Sequence, residues 1–197
     1  MTKKVNLTIT ITEQYQLQCL YTNEENGVRY LQGTNIHNGV ITDKDVFFIN
    51  KEFHHKHIKN ELKSDDILMV QSGHVGECAV VGEKHKGANC HALIIMSNGG
   101  NCNSNYVCYY LQSSYGKRLL KKITTGGTIK HILASKIKTV AIPFPPLSEQ
   151  ERIVQILDRF DKLCNDISEG LPAEIEARQK QYEYYRDKLL TFKELTV

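Results

Sequence analysis

Apolar and polar residues alternate over much of the chain in the pattern of short, half-buried β-strands. At the N-terminus, Val5, Leu7, Ile9 and Ile11 alternate with polar residues. Further apolar or alternating runs lie at 45–49, 66–70, 75–81, 92–96 and 139–142. Turn-forming residues separate them at 25–27, 38–39, 71–73 and 98–101. The pattern predicts a β-rich region that closes with the strand at 139–142.

Helical spacing appears twice. Tyrosines and leucines recur every three to four residues over 104–122, which predicts one helix there. After the proline run at 143–146, which predicts an extended hinge, Ser148 and Glu151 have the spacing of a capping box. The apolar residues that follow predict a helix that ends near Gly170, with Pro172 in the first turn of another.

The last helix carries a heptad-like seam. Its positions are Ile175, Tyr182, Tyr185, Leu189 and Phe192, interrupted by Arg178. A seam of this length is too short to be stable alone in water. The seam must therefore pack against another surface, and the pattern leaves three alternatives open. These are its own preceding helix, in a plain hairpin that covers the core, a second copy of the chain, or another protein. The fold class predicted is α+β, with a β-rich domain at 1–145 and a helical, coiled-coil arm at 146–197.

Charge is distributed unevenly along the 197 residues. The net charge is +3, yet residues 1–142 hold 17 basic and 11 acidic side chains, whereas residues 143–197 hold 8 and 11. No acidic residue lies between Glu83 and Glu149, an interval with nine lysines and arginines. A positive surface of this length attracts polyanions, most commonly nucleic acid. The alternative is a solvated basic face without a partner.

Targeting signals and reactive cysteine motifs are not evident. No run approaches the roughly 20 apolar residues of a membrane span, and the N-terminus lacks the apolar core of a signal peptide. The expected compartment is therefore the cytosol, where the six cysteines stay reduced and structural. No Cys-x-x-Cys pair occurs, so neither a zinc ribbon nor a redox motif is supported.

Catalytic and metal-binding signatures are also missing. The adenine-methyltransferase motif Asn/Asp-Pro-Pro-Tyr/Phe does not occur, and the glycines at 82 and 87 have P-loop spacing without the Lys-Ser/Thr that must follow. His54, His55 and His57, with Cys90-His91 elsewhere, match no closed metal site and are read as a solvated loop cluster. We expect no enzyme activity, no metal and no cofactor.

Two stretches near the end of the chain carry a family resemblance. Residues 126–132 read GGTIKHI, and residues 142–154 read IPFPPLSEQERIV. They resemble the DNA-specificity subunits of type I restriction-modification systems. In those subunits a Gly-x-Thr-Ile loop, a strand, a Pro-x-Pro-Pro-Leu-x-Glu-Gln stretch and a long helix end each target-recognition domain. Earlier fragments are similar too: RYLQGTNIHNG at 29–39, SDDIL at 64–68, where Asp65 replaces the usual glycine, and SGHVG at 72–76.

The resemblance runs from about Gly27 to Phe192 and covers one recognition domain and one helical region, whereas a full specificity subunit resembles two such units in tandem. It therefore implies a half-subunit, either encoded as such or cut from a longer protein, and Met1 favours a natural or engineered half without deciding between these two. By the same resemblance, the partners are double-stranded DNA, methyltransferase subunits and a restriction subunit, and the chain acts as a homodimer that reads one half-site per copy. The catalytic chemistry then belongs to the partners. A protein-interaction module without DNA function, such as a decayed or inhibitory half-subunit, is the alternative.

Candidate DNA contacts follow from side-chain chemistry. Basic side chains and glycine-rich backbone neutralise or approach phosphates, whereas polar residues on loops read base edges. The phosphate candidates are Lys117, Arg118, Lys121, Lys122, Thr125, Gly126, Gly127, Thr128 and Lys130. The base-reading candidates are Arg29, Gln32, Asn35, Gln71, Ser72 and His74. The glycine-rich loop is alternatively a structural turn, and each polar loop residue is alternatively just solvated.

Overall fold

A computed structural model describes residues 8–11, 21–166 and 172–191. The chain combines short strands with helices, as the sequence predicts. The strands are β1 (Thr8–Ile11), β2 (Tyr21–Thr22), β3 (Gly27–Leu31), β4 (Ile36–His37), β5 (Val40–Ile41), β6 (Phe47–Asn50), β7 (Ile67–Val70), β8 (Cys78–Val80), β9 (Asn89–Cys90), β10 (Leu93–Ser97), β11 (Thr124–Thr125) and β12 (His131–Ile132). The helices are α1 (Lys51–Lys56), α2 (Ser104–Gln112), α3 (Ser114–Ile123), α4 (Ala134–Ile137), α5 (Leu147–Asp166) and α6 (Pro172–Leu190).

Two four-stranded sheets form the β-rich part. The first has the order β1-β10-β7-β8 and is antiparallel throughout, and the second has the order β2-β6-β3-β9, with β3 and β9 parallel. Two small hairpins, β4–β5 and β11–β12, complete the set. The predicted closing strand at 139–142 is wrong. The segment follows the short helix α4, and the Val140 amide donates to the Ile137 carbonyl in a turn at its end.

The first sheet is covered on both faces, which explains the continuous apolar runs of β7 and β10. Ile67 and Met69 of β7 pack with the helices, and Leu68 and Val70 pack toward the second sheet. All four side chains are fully buried. The molecule therefore stacks a helical layer, the first sheet and the second sheet, and the helical layer includes α2, α5 and α6.

The helix predicted over 104–122 is two helices. Ser113 separates them in an extended conformation and caps α3, since its hydroxyl accepts from the Gly116 amide at 3.1 Å and donates to the Tyr110 carbonyl at 2.7 Å. A Cβ on Gly116 would lie 2.1 Å from that same carbonyl oxygen. Glycine is therefore required where α3 turns away from α2.

The proline run is extended, as predicted, but it is not a free hinge. Tyr106 donates its hydroxyl to the Pro143 carbonyl at 2.8 Å, and the buried Gln150 donates to the Pro145 carbonyl at 2.8 Å. The predicted capping box at Ser148 is wrong, because α5 begins at Leu147 and Ser148 lies inside its first turn. Both ends of the proline run are thus fixed to neighbouring elements.

The predicted seam of α6 faces the same chain wherever its side chains are described. Tyr182 is buried in the core that the helices share with the first sheet, and Leu189 packs against this core. Tyr185 stacks on Phe160 of α5, with ring centroids 5.6 Å apart. The side chain of Ile175, and Phe192 and Gly170 altogether, lie outside the described residues. Of the three alternatives, the described residues form the hairpin on the preceding helix.

Candidate nucleic-acid interface

Helix α3 presents the four cations predicted to contact phosphates. Lys117 and Lys121 stand one helical turn apart, as do Arg118 and Lys122, so they form two adjacent rows. All four are exposed. None of them forms an ion pair with another described residue. Cations without an internal counterion are available to an external anion.

The glycine-rich loop connects β11 and β12 directly after α3. Gly126 has φ +99°, and a Cβ there would lie 2.2 Å from the Ile129 carbonyl oxygen, so only glycine fits this turn. Thr125, Gly127, Thr128 and Lys130 are exposed. Ile129 is 61% exposed, which is unusual for so apolar a residue. The loop is a structural turn that also leaves its backbone and Lys130 exposed to solvent. A structural role and a contact with phosphate, the two alternatives for this loop, are therefore compatible.

The loop that holds three base-reading candidates lies beside this hairpin. Ser72 forms a β-bridge with His131, and the Gly73 amide donates to the Lys130 carbonyl at 3.2 Å. The Ile132 amide donates to the Gln71 carbonyl at 3.0 Å. A Cβ on Gly76 would meet Leu120 of α3 at 3.1 Å, so the loop also packs closely on that helix.

We call this assembly of α3, the β11–β12 hairpin at 124–132 and the loop at 71–76 the basic face. It brings together every predicted phosphate contact with Gln71, Ser72 and His74. Gln71 and Ser72 are half-buried, and His74 is exposed. Its stacking partner, the exposed His37 of β4, was not predicted. The one sequence signal for His37 is its place before the Asn38-Gly39 turn, which puts it at the tip of a hairpin.

The remaining base-reading candidates have structural roles. Arg29 is held at 3.3 Å by Asp43, which also pairs with Lys84, and its guanidinium lies over Phe48. The hydrogen bond from Lys84 is the largest of the effects that lower the pKa of the Asp43 carboxyl. The Arg29 side chain is only 17% exposed and is engaged in the free protein, so that base reading by Arg29 stays a prediction.

Asn35 is 1% exposed and fixes the local loop. Its side-chain oxygen accepts from the Gln32 amide at 2.9 Å, and its amide nitrogen donates to the carbonyls of Thr42 and Lys44. The amide of Asn35 is thus engaged within the free protein, and base reading by Asn35 stays a prediction. The side chain of Gln32 is half-buried and donates to the Tyr21 hydroxyl at 3.1 Å.

The histidines at 54, 55 and 57 were predicted to form a solvated loop cluster. The structure agrees for His55, which is exposed, but not for His54 and His57. His54 is buried, with Nε2 3.1 Å from Glu61 and Nδ1 3.3 Å from the Asn89 amide nitrogen. His57 contacts the Phe53 carbonyl through Nδ1 at 2.9 Å. His54 therefore connects α1 to Glu61 and to Asn89 of β9, and His57 caps the C-terminal end of α1. Over the described part of the chain, no group of three or more His, Cys, Asp or Glu residues is placed to hold a metal ion.

Four cysteines are described, and all are buried free thiols: Cys78, Cys90, Cys102 and Cys108. Burial raises the pKa of the Cys102 thiol to about 11. For these four the prediction of reduced, structural cysteines is confirmed, whereas Cys19 and the side chain of Cys164 lie outside the described residues. Among the described helices, none is long and apolar enough to cross a bilayer.

The sequence matches a known family over most of its length. The profile described as the type I restriction modification DNA specificity domain covers residues 17–177. The chain belongs to this family. Membership confirms the resemblance that the motifs indicated, and it agrees with the expectation of a non-catalytic component, because the relatives of the chain are specificity subunits.

Three relatives show how far the similarity extends. The Escherichia coli EcoR124I/EcoR124II specificity subunit is 52% identical over 85 residues, which are 43% of this chain and 21% of that protein. A putative type I specificity subunit of Haemophilus influenzae is 36% identical over 75% of this chain and 38% of its own length. A putative Mycoplasma pneumoniae subunit is 29% identical over 91% of this chain and 84% of its own. The chain thus spans less than two fifths of the first two relatives.

Solved structures share the fold. A structure of a type I restriction-modification system superposes with a TM-score of 0.66 at 19% identity, over 93% of this chain and 43% of that one. The Mycoplasma genitalium specificity subunit superposes with a TM-score of 0.54 at 18% identity, over 83% of this chain and 38% of that one. These similarities confirm the α+β fold class.

Proposed function

We propose that the chain is a sequence-specific DNA-binding module that reads one half-site and supplies the specificity of a type I restriction-modification complex. The basic face is the observation that carries this proposal. It joins unpaired cations, an open glycine-rich loop and polar loop residues from separate parts of the sequence. Cations position DNA through its phosphates, and polar loop residues read its base edges. Residues 1–145 form the recognition domain in this proposal, and residues 146–197 form the helical region.

The helical region is the proposed site of assembly with methyltransferase and restriction subunits in the cytosol. Most of the described seam of α6 packs on α5 and the core, so the surface left for a partner is the outer face of α6. Tyr184 lies there, 61% exposed, against Tyr185. We propose that this face also joins two copies as a homodimer. A two-fold dimer presents the same domain twice, so its target is an inverted repeat of one half-site.

A salt titration of DNA binding tests the proposal. Binding of a fluorescent duplex is measured from low to high salt with the wild type and with Lys117, Arg118, Lys121 and Lys122 all replaced by Ala. Each phosphate contact contributes about 0.9 to the slope of log affinity against log salt. We expect the fourfold variant to bind all sequences more weakly and to lose up to about 3.6 from this slope.

The matched control replaces Lys44, Lys51, Lys56 and Lys162, which are exposed cations on other elements. It removes the same charge and is expected to keep most of the wild-type slope. Equal slopes for the two folded variants would show that α3 does not face DNA. A wild-type chain without salt-dependent DNA binding would favour the protein-interaction module instead.

Dimerisation has its own test. Analytical ultracentrifugation of the full chain and of a Tyr184→Glu variant measures the oligomeric state. We expect the charge to dissociate the dimer without altering the melting temperature. A wild-type monomer at all concentrations, or an unchanged variant dimer, would refute the assignment of this face. The motif methylated in cells that hold only this chain and its methyltransferase then reports the target, and an asymmetric motif would exclude a homodimer.

A further inference from the structure

The exposed rings of His37 and His74 form a stacked pair at the edge of the basic face. Their centroids are 5.1 Å apart and the planes are inclined by only 8°. The two residues come from different elements, since His37 belongs to β4 and His74 to the loop at 71–76. The pair therefore joins the β4–β5 hairpin to the loop that contacts the glycine-rich turn.

One nitrogen of the pair has an assigned role. Nε2 of His74 lies 3.0 Å from the Gly33 carbonyl oxygen, which only accepts hydrogen bonds, so Nε2 carries a proton. In the neutral ring, Nδ1 of His74 is then an acceptor, and it becomes a second donor when the ring is protonated. The nitrogens of His37 have no hydrogen-bond partner among the described residues.

No described carboxylate forms an ion pair with either ring. The β4–β5 hairpin at 36–41 has no other titratable side chain. The titratable groups of the adjoining segments are Glu77, Lys130 and His131, and Tyr109, Asp161 and Tyr182 line a pocket together with Asn38, Gly39 and Val40 of the hairpin. Protonating both rings at this spacing creates a repulsion between them.

We propose that the His37–His74 pair is a phosphate-binding site for the DNA backbone, occupied by the protonated rings. An anion at the ring edges accepts charge-assisted hydrogen bonds and offsets the repulsion between the imidazolium groups. Histidine changes charge between about pH 5 and 8. DNA binding therefore takes up protons, and the affinity increases as the pH falls. This inference rests on the proposed function and assigns a role to His37 that the sequence did not indicate.

The experiment is a pH series of the affinity for a fluorescent duplex at constant ionic strength, from pH 8 to pH 6. We expect wild-type affinity to increase about fivefold over this interval, as partial uptake of one proton allows. The His37→Asn/His74→Asn double variant keeps hydrogen-bonding side chains that do not titrate, and its affinity should change less than twofold. The control is His55→Asn, an exposed histidine on α1, which should follow the wild type.

Each outcome has one meaning. A flat wild-type profile with tight, salt-dependent binding would refute the histidine site and leave the proposed function standing. A double variant that keeps the wild-type pH profile would refute it in the same way. A wild-type chain that binds no duplex at any pH would refute the proposed function and this inference together. His37→Asn alone, which removes no hydrogen bond to the described protein, guards against misfolding and should lose about half of the effect on a logarithmic scale.

Discussion

Gly116 is the position where the direction of α3 is most sensitive to a single atom. A Cβ there would lie 2.1 Å from the Tyr110 carbonyl oxygen and 2.6 Å from that of Leu111, whereas real Cβ contacts below 3.0 Å essentially never occur. The neighbouring atoms are backbone and cannot rotate away. Gly116→Ala therefore forces α3 to move by about 1 Å, which breaks the hydrogen bond between Ser113 and the residue 116 amide.

The size of the effect follows from this clash. Overpacking of a close-packed region costs about 1–3 kcal/mol, and a backbone clash lies at the upper end. For a chain of this length, about 3 kcal/mol lowers the melting temperature by roughly 6–12 °C. Because the cations of α3 move with the helix, we also expect DNA affinity to fall.

The assay is thermal and urea unfolding of Gly116→Ala beside Gly82→Ala. Gly82 has φ −85° and nothing within 4 Å of the added Cβ, so the same chemical change is harmless there. We expect this control to stay within about 0.5 kcal/mol of the wild type or to gain slightly. Equal melting temperatures for the two variants would refute the argument that glycine is required at the α2–α3 junction.

Two further predictions concern buried polar groups. Asn35→Ala leaves the partners of the buried amide unsatisfied and should lower the free energy of unfolding, measured in urea, by about 3 kcal/mol. The control, Asn105→Ala at an exposed position, should change it by less than about 0.5 kcal/mol. Similar values for both variants would contradict the structural role of Asn35. Burial, and then the nearby Asp158, raise the pKa of the Asp161 carboxyl in the folded chain. The ionised carboxylate therefore destabilises the fold, and we expect Asp161→Asn to have a higher melting temperature than the wild type at pH 7. This difference in melting temperature should vanish as the pH falls below 3.8, the ordinary pKa of an aspartate. A difference that persists in acid would show another cause.

Secondary structure was predicted most accurately where the residues that start and end an element are adjacent to it in the sequence. The β-branched runs of β7 and β10 are bounded by polar and glycine residues, and both were predicted to within one residue. The start of α6 at Pro172 was also predicted, because proline is tolerated only in a first turn. Local signals sufficed for these elements.

Prediction failed where residues distant in the sequence determine the local conformation or the burial of a side chain. Residues 139–142 have strand-like composition, yet none of the described strands pairs with them, and the segment follows α4 beginning in a turn. The sequence around Ser113 has helical spacing, so the residue was predicted to lie inside one helix. In the structure, Gly116 permits the close approach of α2 and α3, and Ser113 lies between them. The basic face combines loops that are 50 residues apart, and only the fold shows that Asn35 serves the protein interior whereas His37 reaches the surface. Burial and long-range pairing are properties of the assembled chain.

Besides the bond from Gln150 to the Pro145 carbonyl at the boundary itself, three hydrogen bonds between described residues cross the proposed boundary at residue 145, and the two sides contribute different kinds of group. Gln150 accepts from the backbone amide of residue 103, and Asp187 accepts from that of residue 114. The third joins the Tyr109 hydroxyl to Asp158 at 2.7 Å. In the first two, the residue after the proposed boundary supplies a side chain, and the residue before it supplies a backbone N–H, which every residue except proline has. These two bonds therefore survive any substitution except proline at positions 103 and 114, so this part of the joint depends on the backbone of the first 145 residues rather than on their side chains.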